Sequence, residues 1–292
     1  MRISLAMDKI NFPDEQIVAL DNIAPGVRGL RIAFVNIFAV THPDGSWTLI
    51  DAGLPFTEVL IRRWAEKNFS TAPQAIVLTH GHFDHVGAAP VLADEWDVAV
   101  YAHRLEFPYL TGQSKYPPPN PAAGGGVMSL LSPLYPRGPV DLKNRLREMP
   151  FAGSEPASMP QMPGWEVIFT PGHTPGHVSF FRPGDRVLLV GDAFCTTKPE
   201  SFFAAAIAQT SELHGPPSYF TADWAEAGRS VKRLASLNPV LVAPGHGKPL
   251  AGAEIPAELQ RLAREFESVA VPDNEKQEAS EPTVPGKEPE AA

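Results

Sequence analysis

Short apolar runs recur along this chain and alternate with longer stretches of helical period. The runs are rich in Val, Ile, Leu and Phe, are four to ten residues long, and are mostly closed by Gly, Pro, Asn or Asp. They predict strands over residues 31–40, 46–51, 75–79, 98–102, 165–170, 178–181, 186–190 and 240–243. Helical spacing predicts helices over 56–68, 222–237 (with Thr221 as N-cap) and 256–269. This mixture defines an α/β or α+β chain in which helices cover sheets. No internal repeat is visible.

Two segments break the pattern. Residues 271–292 hold six acids, two Lys and four Pro, with no aromatic, Leu or Ile. Such a segment buries too little apolar surface to offset its ordering entropy, so it is expected to be a disordered tail after a single domain over 1–270. Residues 108–160 hold 11 of the chain's 32 prolines and the run Gly124-Gly125-Gly126. They read as an insertion or a lid over a site, with a short apolar helix around 127–131 able to dock.

Composition narrows the class. Of 292 residues 43% are hydrophobic, which excludes wholesale disorder, and the length suffices for a core without disulfide staples. Lys plus Arg is 24 against 33 Asp plus Glu, a net charge of −9 that argues against a nucleic-acid partner. There is no apolar run of membrane-spanning or signal-peptide length, and the single cysteine, Cys195, cannot form an internal disulfide. A soluble cytoplasmic protein acting on a small molecule is therefore expected, with no membrane partner. The oligomeric state stays open, a homodimer being one option.

The chemistry collects where apolar runs end. The first case is Ile76-Val-Leu-Thr-His80-Gly-His82-Phe-Asp84-His85. Neutral imidazole and carboxylate are the ligands that zinc and related divalent ions take. His80 and His82, two apart, can face one ion, and Asp84 and His85 can address a second. Three later runs end alike, at Gly172-His173, Gly191-Asp192 and Gly245-His246. Glycine permits the tight turn and close backbone approach that let a short side chain reach a shared centre.

This ordered set, with Leu49-Ile50-Asp51-Ala-Gly53 upstream, resembles the metallo-β-lactamase superfamily over about residues 30–250. The resemblance implies an αββα sandwich of two mixed sheets, with the metal site at one edge. It implies His80, His82 and His173 on one ion, Asp84, His85 and His246 on the other, and Asp192 bridging them. It further implies that Asp51 orients a ligand histidine from behind. The cofactors expected are two divalent ions, zinc first, with iron or manganese as alternatives.

Two such ions ~3.5–4 Å apart can hold a hydroxide nucleophile at neutral pH. Asp84 is then the catalytic carboxylate, orienting that group and relaying a proton to the leaving group. No Gly-x-Ser-x-Gly elbow offers a competing serine nucleophile. A bridging Asp192 resembles the lactonase, glyoxalase II, phosphodiesterase and tRNA-processing branches, and β-lactamases generally lack it. Only about 45 residues follow His246, little for glyoxalase II's helical domain, and no basic arm for tRNA is present. His82 and the length oppose a flavodiiron protein. The expected reaction is hydrolysis of a lactone, ester or thioester. β-Lactam or phosphodiester hydrolysis, and oxidation by a mononuclear-iron persulfide dioxygenase, are the alternatives. A silent binding protein would show a broken ligand set, and this one is whole.

The remaining candidates read as structural. His177 repeats the motif of His173 but lies outside the ligand set. His103 and His214 carry no assigned role, and His42 belongs to a hairpin loop. Cys195 is not expected to ligate. Phe202, Phe203, Tyr109, Tyr116 and Tyr135 are candidate pocket walls.

Overall fold

In a computed structural model, residues 17–142, 144–150, 155–198 and 212–278 are described. Successive side chains of a strand point to opposite faces, and here both faces are buried. Phe38, Val40, Ile50 and Val77 meet Trp165, Val167, Phe180 and Leu189 in a core between two sheets. Their sequence neighbours Ile37, Ala39, Leu49 and Ile76 turn outward to a second cluster, and Ile168, Leu188, Val190 and Val242 to a third. That explains the continuous apolar runs of the central strands, which have no solvated face, whereas the edge strands are partly exposed.

The first sheet has the order β1 (Ile17–Ala24), β2 (Val27–Ile32), β3 (Val35–Thr41), β4 (Trp47–Ile50), β5 (Ala75–Val77), β6 (Ala99–Ala102), β7 (Leu146–Glu148). It is antiparallel from β1 to β4 and parallel from β4 to β7. The second contains β8 (Ala157–Ser158), β9 (Glu166–Phe169), β10 (Val178–Arg182), β11 (Val187–Gly191), β12 (Leu241–Pro244) and β13 (Leu250–Ala251). Only β11 and β12 are parallel there.

Helix α1 (Glu58–Asn68), the single turn α2 (Phe83–Val86) and α3 (Ala89–Trp96) lie on the first sheet's outer side. After α4 (Phe107–Leu110) and α5 (Val127–Leu131), helices α6 (Trp224–Ser236) and α7 (Ile255–Arg264) cover the second. Fully buried Val231, Leu234 and Leu259 anchor that cover, each worth about 1.5–3 kcal/mol of transfer free energy. This is the expected four-layer sandwich. No helix among the described residues is long and apolar enough to cross a membrane.

Several boundaries differ from the sequence pattern. The run 31–40 is two strands, folded back between Ile32 and Val35 through Ala33 at φ +56°, a turn with no Gly, Pro or Asn to announce it. Asp223, not Thr221, caps α6, its carboxylate accepting the Glu226 N–H at 2.8 Å. The last predicted helix is broken at Glu265 into α7 and α8 (Phe266–Val269). The first residues of the expected tail are ordered instead: Val271 packs on the core, α9 (Asp273–Glu278) follows, and Asn120 Nδ2 donates to Glu275 Oε1 at 2.6 Å. Residues 279–292 lie outside the described residues.

The 108–160 insertion is not a free loop, since β7 extends one sheet and β8 the other. Helix α5 forms where expected but docks only through Met128 and Ser129, leaving Leu130 70% exposed.

Candidate metal centre

Strands β4, β5, β9, β11 and β12 all end at one edge of the sandwich, and each delivers a functional side chain there. Asp51 follows β4, the His80–His85 segment follows β5, and His173 follows β9. Asp192 follows β11 and His246 follows β12. All seven predicted ligands are buried, and so is Asp51.

The hydrogen bonds behind the histidines fix which nitrogen faces inward. Thr79 Oγ1 donates to Asp51 Oδ2 at 2.8 Å, so it accepts from His80 Nδ1 at 3.0 Å. Asp51 Oδ2 also accepts from His85 Nδ1 at 2.8 Å, and Asp51 Oδ1 takes the Thr79 N–H. His246 Nδ1 donates to the Phe34 carbonyl at 2.9 Å. His173 Nδ1 meets Thr221 Oγ1 at 3.3 Å, whose own proton goes to Pro217 O. Each of these four rings therefore uses Nδ1 for its outer hydrogen bond and turns Nε2 inward. Such outer partners orient metal-binding imidazoles. Asp51 is placed as expected, behind His85 and, through Thr79, behind His80.

The inward atoms converge. His82 Nδ1 lies 3.1 Å from His80 Nε2 and 2.9 Å from His173 Nε2. Three ligands at the zinc–nitrogen distance, arranged tetrahedrally, would be roughly 3.3 Å apart. Asp192 Oδ2 is 3.1 Å from His246 Nε2 and 3.5 Å from His173 Nε2, and Asp84 Oδ2 is 3.5 Å from His246 Nε2. Three groups are close enough to hold an ion: His80, His82 and His173; His80, His85 and Asp192; and Asp84, His85 and His246. The first and third match the partition that the resemblance implied.

Charge supports a cation here. Burial keeps His80 and His173 well below the usual imidazole range and takes His82 to about 3, so these rings are neutral lone-pair donors. Burial opposes charge on His85 and His246 too, yet Asp192 holds both above that range, so in the absence of metal each inward Nε2 keeps a proton that a divalent ion would displace. Burial likewise works against ionised Asp192, but His246 and His85 keep it well below the carboxylate range. His85 Nε2 and Asp192 Oδ1 are buried and face each other at 3.4 Å, with no other hydrogen-bond partner. A β-carbon on Gly245 would sit 2.3 Å from Asp192 Oδ1, so only glycine leaves that oxygen room. Converging imidazole nitrogens and two carboxylates, buried and oriented from behind, are a donor set that fits divalent ions.

His177 lies outside the three groups but is not idle. Its Nε2 accepts the Asp192 N–H at 2.8 Å, and its Nδ1 is 2.8 Å from Thr170 Oγ1, so the ring fixes the backbone beneath Asp192. His103 is buried against the Phe169 ring at 4.7 Å. His214 pairs with Glu212 at 2.9 Å, and His42 bonds Thr48 at 2.9 Å. Cys195 is buried and contributes to none of the ligand groups. Tyr109 and Tyr116 line a cavity beside His82 and His173, whereas Tyr135 packs on Phe83 at 5.6 Å. Phe202 and Phe203 lie outside the described residues. Sequence reasoning missed Phe34, Thr79, Thr221 and Glu106. Phe34 acts through its carbonyl, which leaves no signature, while Thr79, next to the first ligand, was visible.

The family model of the metallo-beta-lactamase superfamily matches residues 30–246, and the chain belongs to that superfamily. It is 42% identical over 250 residues to the probable metallo-hydrolase YflN of Bacillus subtilis, covering 84% of this chain and 93% of that one. The hydroxyacylglutathione hydrolase GloC of Haemophilus influenzae is 25% identical over 214 residues, covering 73% and 85%. Among solved structures, the BLEG-1 B3 metallo-beta-lactamase aligns with a TM-score of 0.52 and 25% identity, covering 76% of this chain and 92% of that one.

Proposed function

We propose that the protein is a hydrolase that uses two divalent ions, zinc first, to cleave a lactone, ester or thioester bond of a small substrate. The observation that carries this reading is the convergence of His80, His82, Asp84, His85, His173, Asp192 and His246, with His80, His85 and His246 turned Nε2-inward by their outer hydrogen bonds. Bound there, the ions would polarise a carbonyl oxygen and lower the pKa of a coordinated water toward neutrality. His80, His82 and His173 would hold one ion, Asp84, His85 and His246 the other, and Asp192 both. Asp84, whose pKa burial raises, is suited to take a proton and return it to the leaving group.

The cavity beside the cluster supports a small, uncharged substrate. It has a volume of about 260 Å³, and His82, His173, Tyr116, Tyr219 and Phe220 form part of its wall. Among the described residues, Glu275 is the one carboxylate on that wall and no Lys or Arg lines it. Away from the ions, an anionic group such as a glutathione carboxylate would meet no Lys or Arg among the described residues, and Glu275 would repel it.

Metal quantification on the purified protein, followed by a panel of lactones, aryl esters, thioesters, a chromogenic β-lactam and a phosphodiester, tests the reading. Two ions per chain with turnover of the carbonyl substrates are expected. One iron per chain with oxygen uptake on a persulfide would overturn it.

A further inference from the structure

Glu106 is a fully buried carboxylate outside the ligand set. It closes the turn that follows β6, and both its oxygens are saturated. Oε1 accepts the Thr174 hydroxyl at 2.8 Å and the Gly176 N–H at 2.7 Å. Oε2 accepts the Gly81 N–H at 3.0 Å and the Tyr116 hydroxyl. Burying a carboxylate costs several kcal/mol unless hydrogen bonds replace its water, and four donors do so here.

The positions of those donors give the bonds their meaning. Gly81 stands between His80 and His82, and Thr174 and Gly176 follow His173. One side chain thus ties the loop after β5, in the first sheet, to the loop after β9, in the second. We infer that Glu106 is a positioning residue for the trio His80, His82 and His173, setting the 2.9 Å approach of His82 Nδ1 to His173 Nε2. This rests on the proposed metal reading. The other trio has separate supports: His85 leans on Asp51 and His246 on the Phe34 carbonyl.

The close approach also accounts for two glycines of the sequence motifs. A β-carbon on Gly81 would lie 2.6 Å from the Tyr116 hydroxyl, and one on Gly176 would lie 2.7 Å from Glu106 Cγ. Tyr116 belongs to the Pro-rich insertion and packs on the His82 ring at 4.5 Å between centroids, so the insertion completes the clamp. Glutamine cannot replace the carboxylate fully, because its NH₂ must face either the Gly81 or the Gly176 N–H. Aspartate is one methylene too short to reach both loops.

The test uses the full chain carrying Glu106→Gln or Tyr116→Phe. Zinc is titrated against a chromogenic chelator, and amide exchange at Gly81 and Gly176 is followed by NMR in the metal-free protein. Glu106→Gln is expected to weaken one zinc equivalent about 10–100-fold and leave the other within about threefold, as loss of an outer partner does. Exchange at Gly81 or Gly176 should quicken while the remaining strand amides hold. Tyr116→Phe should weaken the same equivalent less, which keeps the test open if Glu106→Gln does not fold. Equal weakening of both equivalents, or of neither, overturns the inference. If the wild type holds a single ion, the two-ion proposal fails on its own. Glu106 is then judged by that ion's affinity and by the glycine amides, unchanged values in both overturning it.

Discussion

Asp192 carries the heaviest load of any single residue, facing His85, His173 and His246 within 3.1–3.5 Å while buried. Asp192→Ala, and His82→Ala beside it, should abolish turnover and lower bound metal; full activity in either variant would remove the site assignment. Asp51 works at one remove, through His85 and Thr79, so Asp51→Ala should cost about 10–100-fold in metal affinity or rate. His177 makes a pH prediction for the metal-free protein. Burial lowers its pKa from 6.5 to about 4, so between those values the folded ring is neutral while the unfolded one takes up a proton. Unfolding gains that proton, so the ring's contribution to stability falls as pH drops through this window. Urea unfolding at stepped pH should show wild type losing stability relative to His177→Gln from pH 6.5 down to 4.

At the scale of elements, the insertion has two parts with different consequences. Strands β7 and β8 and the Tyr116 contact belong to the frame, and removing the whole of 108–160 should destabilise the fold and the metal centre together. The α5 turn is different, with Val127, Leu130 and Leu134 each more than half exposed. Replacing 127–134 by a short Gly/Ser link should change KM or substrate range with metal content intact. Loss of metal in that variant would show the turn to be part of the frame as well.

For the whole molecule, the cluster joins loops from both sheets, so bound ions should tie the sandwich together. Ligand present at a hundred times its Kd adds about 2.7 kcal/mol to stability. In a chain of 292 residues, that corresponds to a Tm shift of roughly 4–5 °C. Chelation should lower Tm by this order, and added zinc should restore it; a metal-independent Tm would mean that the loops hold their places unaided. The ligand set was legible in the chain because each member sits just past an apolar run, four of them directly after a glycine, a local pattern. The layers were legible because a strand buried on both faces must be apolar throughout. The turn at Ala33 was not, since it rests on one positive φ in a residue that ordinarily avoids it. Glu106 was not either, because its partners Gly81, Tyr116, Thr174 and Gly176 come from three separate loops. The sequence by itself determined which side chains meet and what chemistry they carry, since ligand type and strand-end position are properties of short segments. Only the tertiary structure decided which nitrogen each histidine presents, and what holds it there, because those hydrogen bonds cross between elements far apart in the chain.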